Sequence, residues 1–68
     1  MNMSSVGEEF PKEQERVRQL LAQYMAIGPA GFFGRTMINA VLQRAEKAAI
    51  SGDLIAILRS YKELKDCE

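Results

Sequence analysis

Cys67, Asp53, Glu46, Glu63, Tyr24 and Tyr61 are the side chains of this sequence best suited to chemistry. A thiolate is a nucleophile, a carboxylate moves protons, and a tyrosine hydroxyl donates one. None of the six has the neighbour its chemistry needs. Histidine is absent, so the usual base near neutral pH is missing. Cys67 stands between Asp66 and Glu68, whose charges raise a thiol pKa and blunt its nucleophilicity. Asp53, after Ser51 and Gly52, suits a helix cap better than a general base. Glu46 and Glu63 fall on solvated helix positions. Tyr24 and Tyr61 fall on apolar faces, where a buried ring with a hydrogen-bonded hydroxyl is the usual fate. One cysteine without histidine also lacks the ligand set of a zinc site. The expectation is a non-enzyme with no catalytic residues, no metal and no cofactor.

The stretch "IGPAGFFG", residues 27–34, raises two further chemistries. A phosphate-binding loop needs Lys followed by Ser or Thr directly after its last glycine. Gly34-Arg35-Thr36 echoes this, but the spacing is wrong and no strand precedes it. Arg35 near a helix N-terminus leaves only a simple anion contact open. "IGPAG" is also similar to the start of the I-G-x-x-G-x-x-I loop of KH domains, which joins two helices and clamps a nucleic-acid backbone. The departures are Pro29 and Ala30 where a clamp favours a cation, Gly34 in place of the final apolar residue, and no flanking strands. Geometry accounts for the stretch more simply. Gly28 ends one helix, Pro29 prevents its continuation, and Gly31 and Gly34 permit a tight path or a close helix contact. Phe32 and Phe33 point about 100° apart on a helix, so one is expected to pack inward and the other to meet a partner.

The elements that position these residues follow from periodicity. Residues 1–9 lack it and read as a disordered tail, with Pro11 as the first helical residue; residues 10–68 then form a single helical domain. Val17, Leu20, Leu21, Tyr24 and Ile27, with Met25 beside them, predict an apolar face on a helix over about 11–27. Glu13–Arg16 and Glu15–Arg18 pair on its wet side. Met37, Ile38, Val41, Leu42, Ala45, Ala48 and Ala49 predict a second helix over 32–51, whose alanines suit a close crossing. In "SGD", Gly52 closes that helix and Asp53 caps the next, at 53–66. Leu54, Ile57, Leu58, Tyr61 and Leu64 form the third face. Lys62–Asp66 and Arg59–Glu63 are expected on its exposed side. The fold class is all-α, three helices, with the second and third an antiparallel hairpin.

A chain of 68 residues buries only about 60% of its unfolded surface, and small domains gain stability from disulfides, metals or partners. A single cysteine and no histidine leave self-association as the route. Nine basic and nine acidic residues cancel, so tight binding to a phosphate backbone has no excess of positive charge behind it. No apolar run approaches the roughly 20 residues of a membrane span. The opening residues lack the pattern of a signal peptide, and with a free thiol this predicts a cytoplasmic location.

"RAEKAAISGDLIAILRSYKELK", residues 44–65, resembles the helical hairpins of tetratricopeptide repeats through Ala45, Ala48, Gly52, Asp53, Ala56, Tyr61 and Leu64. No 34-residue repeat accompanies it; the resemblance implies peptide or protein binding rather than catalysis. From Tyr24 onward, "IGPAGFFG", "MI", "RAE", "SGD" and "LRSYKELKDCE" together look like small uncharacterised helical proteins of bacteria and prophages, which bring no known activity. The expected function is a self-associating protein–protein interaction or regulatory accessory module: a homodimer, with an unidentified protein partner. Leu21, Phe32, Phe33, Met37 and Val41 are the candidate interface residues, and Gly28, Gly52 and Asp53 the structural caps. The alternative is a small dimeric nucleic-acid-binding regulator that would use Arg35, Arg44 and Lys47.

Overall fold

The computed structural model describes residues 3–68, with side chains from Val6 onward. The chain is all-α, with no strand among the described residues: α1 (Met3–Ile27), a 3-10 turn (Gly28–Gly31), α2 (Phe32–Ser51) and α3 (Leu54–Asp66). Three separate helices were expected. α1 and α2 follow one another with no loop between them, joined by the 3-10 turn that starts at the left-handed Gly28, and only α3 is set off by non-helical residues.

α1 begins at Met3, inside the stretch 1–9 that the sequence reads as a tail; Met1 and Asn2 lie outside the described residues. Pro11 is therefore inside α1 and not at its first turn. An interior proline costs about 3 kcal/mol, because its ring presses on the carbonyl four residues back and one hydrogen bond is lost. That carbonyl belongs to Gly7, which is exposed and has open space around it. Against this cost stand Val6 and Phe10, only 4% and 5% exposed. Burying two such side chains contributes about 1.5–3 kcal/mol each, enough to carry the helix through the proline. Val6, Phe10, Val17 and Tyr24 keep one stripe along α1.

The core gathers Phe10 and Val17 of α1, Ile38, Val41 and Ala45 of α2, and Leu64 of α3, with Leu20, Leu21, Tyr24, Leu42, Ile57, Tyr61 and Cys67 packed around them. On α2 the inward positions run Gly34, Ile38, Val41, Ala45, Ala48, and Ala49, expected inward, is exposed. The inward face of α3 is rotated from the expected one. Ser60 is buried while Leu54 and Leu58 are exposed. Ala48 of α2 lies beside Ala56 and Ser60 of α3, and small side chains let two helices approach closely where leucines would hold them apart. Among the described residues no buried side-chain polar atom lacks a hydrogen-bond partner.

Polar contacts lock the ends. Gly52 adopts φ 71°, the left-handed cap of α2, and Asp53 Oδ1 accepts from Ile55 N at 3.0 Å. Ser51 Oγ donates to the Ala48 carbonyl at 2.8 Å and accepts from Asp53 N at 3.1 Å. Arg16, read from sequence as half of a solvated pair with Glu13, does more. It keeps Glu13 at 2.8 Å and also donates to the Leu64 and Cys67 carbonyls at 2.8 and 3.2 Å. The Leu64 carbonyl already accepts from Cys67 N at 3.1 Å, so the guanidinium adds a charged donor at the negative end of the α3 dipole. Glu63, expected to face Arg59, instead accepts from Arg44 Nε and Nη2 at 3.1 and 2.8 Å, joining α2 to α3.

Candidate interaction surface at the α1–α2 corner

Tyr24 organises the corner. Gly28 takes φ 83°, left-handed backbone that ends α1. A Cβ on Gly31 would collide with the Tyr24 carbonyl oxygen, and one on Gly34 would collide with the Tyr24 ring. The ring thus lies against the first turn of α2, and its hydroxyl donates to the Glu68 carbonyl at 2.9 Å. Gly34 fills the inward position of that turn, which leaves no inward place for either phenylalanine. Phe32 and Phe33 are 59% and 77% exposed, so the expectation that one packs inward is overturned.

The five candidate interface residues separate. Phe33 and Met37 are exposed and share a groove of about 390 Å³ whose floor includes Ile38 and Val41. Val41 itself is buried in the core, so it is a floor residue and not a protruding contact. Its position on the inward seam of α2 explains the correction. Leu21 packs half-buried against the core beside Met25. Phe32 lies on another flank, with Gly28, Pro29 and Arg35. Sequence reading missed the exposure of Met25 and Ile27, and of Ile50, Leu54, Ile55 and Leu58. It placed Ile27, Leu54 and Leu58 on core faces, because apolar spacing alone does not say which side of a stripe is covered.

The groove is apolar below and charged at its rim, which carries Arg44, Glu63, Asp66 and Glu68. Glu63 pushes the Arg44 guanidinium pKa up, first through the hydrogen bond and then through Coulomb attraction. The Cys67 thiol is also pushed up. Burial is the leading cause, Arg16 opposes it, and Asp66 and Glu63 add smaller contributions. The expected effect of acidic neighbours is therefore secondary to desolvation. Cys67 Sγ donates to the Glu63 carbonyl at 3.5 Å.

The three cations of the nucleic-acid reading are not brought to one surface. Arg35 sits 5.2 Å over the Phe32 ring and lines the side of α2 that faces Leu21 and Met25. Arg44 and Lys47 line the side facing α3. Among the described residues, no three of His, Cys, Asp and Glu come together to hold a metal ion, and no helix is long and apolar enough to cross a membrane. No protein family, curated protein or solved structure matches the chain.

Proposed function

We propose that the protein is a non-catalytic helical interaction module that self-associates through the outward side of α2. In this reading the working unit is a compact three-helix domain, α2 and α3 forming an antiparallel hairpin with α1 folded across it. The observation that carries it is the exposure of Phe33 and Met37 at the mouth of an apolar groove. Large aromatic and methionine side chains beside a pocket are the residues that anchor protein interfaces. The likeness of residues 44–65 to tetratricopeptide hairpins also favours protein recognition over catalysis. A protein partner of different sequence would compete for the same groove.

Amide chemical shifts recorded over a concentration series test the surface directly. The expected result is movement at Phe33, Met37 and their neighbours, with those of Ile55 and Leu58 steady, and loss of the movement in Phe33→Ala. Shifts that stay constant into the high micromolar range, or that move only around Ile55 and Leu58, would remove this surface from consideration.

A further inference from the structure

We infer that the occupant of the groove is a second copy of this chain, whose α2 lies antiparallel to the first across a two-fold axis between Met37 and Ala40. This rests on the self-association proposed above and fixes its geometry. Phe33, Met37, Ala40, Arg44 and Lys47 succeed one another at steps of four, three, four and three. They form a second seam one residue ahead of the core seam Gly34, Ile38, Val41, Ala45 and Ala48, hence about 100° around the helix from it. Such spacing is that of helices packed knobs-into-holes, and a helix with two adjacent seams can serve two cores.

The distribution of chemistry along the outer seam selects the direction. Its first half is apolar, and its second half carries Arg44 and Lys47. A parallel pair would set the two cationic halves against each other. An antiparallel pair sets Met37 against the small Ala40 of the other copy, twice, and Phe33 against the other Arg44. That arginine is already held by Glu63 through two hydrogen bonds, so it offers an aliphatic stem and a charge-balanced planar head to an aromatic ring. Thr36 flanks this contact, and its hydroxyl donates to the Phe32 carbonyl at 2.9 Å, leaving its methyl for apolar packing. Lys47 of the other copy then reaches the corner end of the groove, where Asp66 and Glu68 stand at the rim. The complementarity repeats by symmetry, as a two-fold interface requires.

The test combines a distance with a charge exchange. With Cys67→Ser as background, a nitroxide is attached at Ile50→Cys, an exposed position outside the seam. Antiparallel helices place the two labels about 35 Å apart along the axis, from 1.5 Å of rise per residue. Parallel helices place them about 10 Å apart, the interaxial spacing. In otherwise unmodified protein, Lys47→Glu is expected to weaken dimerisation about tenfold, and Asp66→Lys added to it to restore most of the loss. A wild-type chain that stays monomeric overturns the self-association reading itself. A dimer with the short label distance, or one indifferent to Lys47→Glu, overturns only the antiparallel arrangement.

Discussion

Tyr24 is the residue on which the corner turns, because its carbonyl leaves no room for a side chain at Gly31 of the 3-10 turn and its ring leaves none at Gly34 of α2. Gly34→Ala gains helix propensity of about 1 kcal/mol, yet its methyl would enter the Tyr24 ring, and overpacking of this kind costs about 1–3 kcal/mol. The clash wins, so a lower urea midpoint is expected for Gly34→Ala. Gly7→Ala is the internal control: nothing surrounds the added methyl, and the midpoint is expected to rise by the equivalent of about 0.5–1 kcal/mol. Cys67 gives a second prediction. Its raised thiol pKa, caused first by burial, means less thiolate at a given pH. Alkylation of folded protein is expected to be slower than of unfolded protein, with its rate–pH profile displaced upward. The folded state holds the thiol proton more tightly, so this contribution to stability is present below the ordinary thiol range and lost as pH rises through it. Equal rates in folded and urea-unfolded protein at pH 8 would contradict this. The left-handed backbone at Gly28 and Gly52 was legible in the sequence, because helix ends announce themselves locally. That Gly31 and Gly34 allow a close approach was legible as well; that Tyr24 is what approaches them was not, since its carbonyl and ring belong to the preceding helix.

At the scale of elements, local signals again read true and distant ones did not. Asp53 and Gly52 cap their helices through atoms within a few residues, and the "SGD" pattern shows this directly. Arg16 meets its acceptor 48 residues along the chain, and nothing in "EQERVRQ" distinguishes it from a solvated arginine. Arg16→Ala is expected to lower stability by about 1 kcal/mol through lost capping of α3, whereas Arg18→Ala, in a surface pair with Glu15, is expected to change it by less than about 0.5 kcal/mol. Amide exchange should separate them, with faster exchange in the last turn of α3 for Arg16→Ala alone. Equal effects of the two substitutions would mean that the α1–α3 contact does not hold that turn. The early start of α1 was hidden by Pro11, which reads as a beginning; only the burial of Val6 and Phe10 shows why the helix passes through it. The rotation of α3 was hidden by Ser60, a polar type that is buried because it is small.

For the whole molecule, the covered and uncovered apolar faces decide the reading. The all-α class and the predominance of helix were legible from periodicity, while the division of each stripe between core and surface needed the packing. Phe33 and Met37 are the result: large apolar side chains left exposed, while Gly34 packed on the Tyr24 ring takes the inward position of the first turn of α2. Leaving them in water forgoes about 1.5–3 kcal/mol apiece, which the proposed pairing of two copies would recover. Sedimentation equilibrium tests this most directly, run from low to high micromolar concentration on the wild type and Phe33→Ala. The account predicts a mass that rises to twice the 7.6 kDa of one chain for the wild type, and Phe33→Ala that remains folded but dimerises at least tenfold more weakly. A wild type that stays at the single-chain mass throughout, or a Phe33→Ala protein that dimerises as well as the wild type, would contradict it.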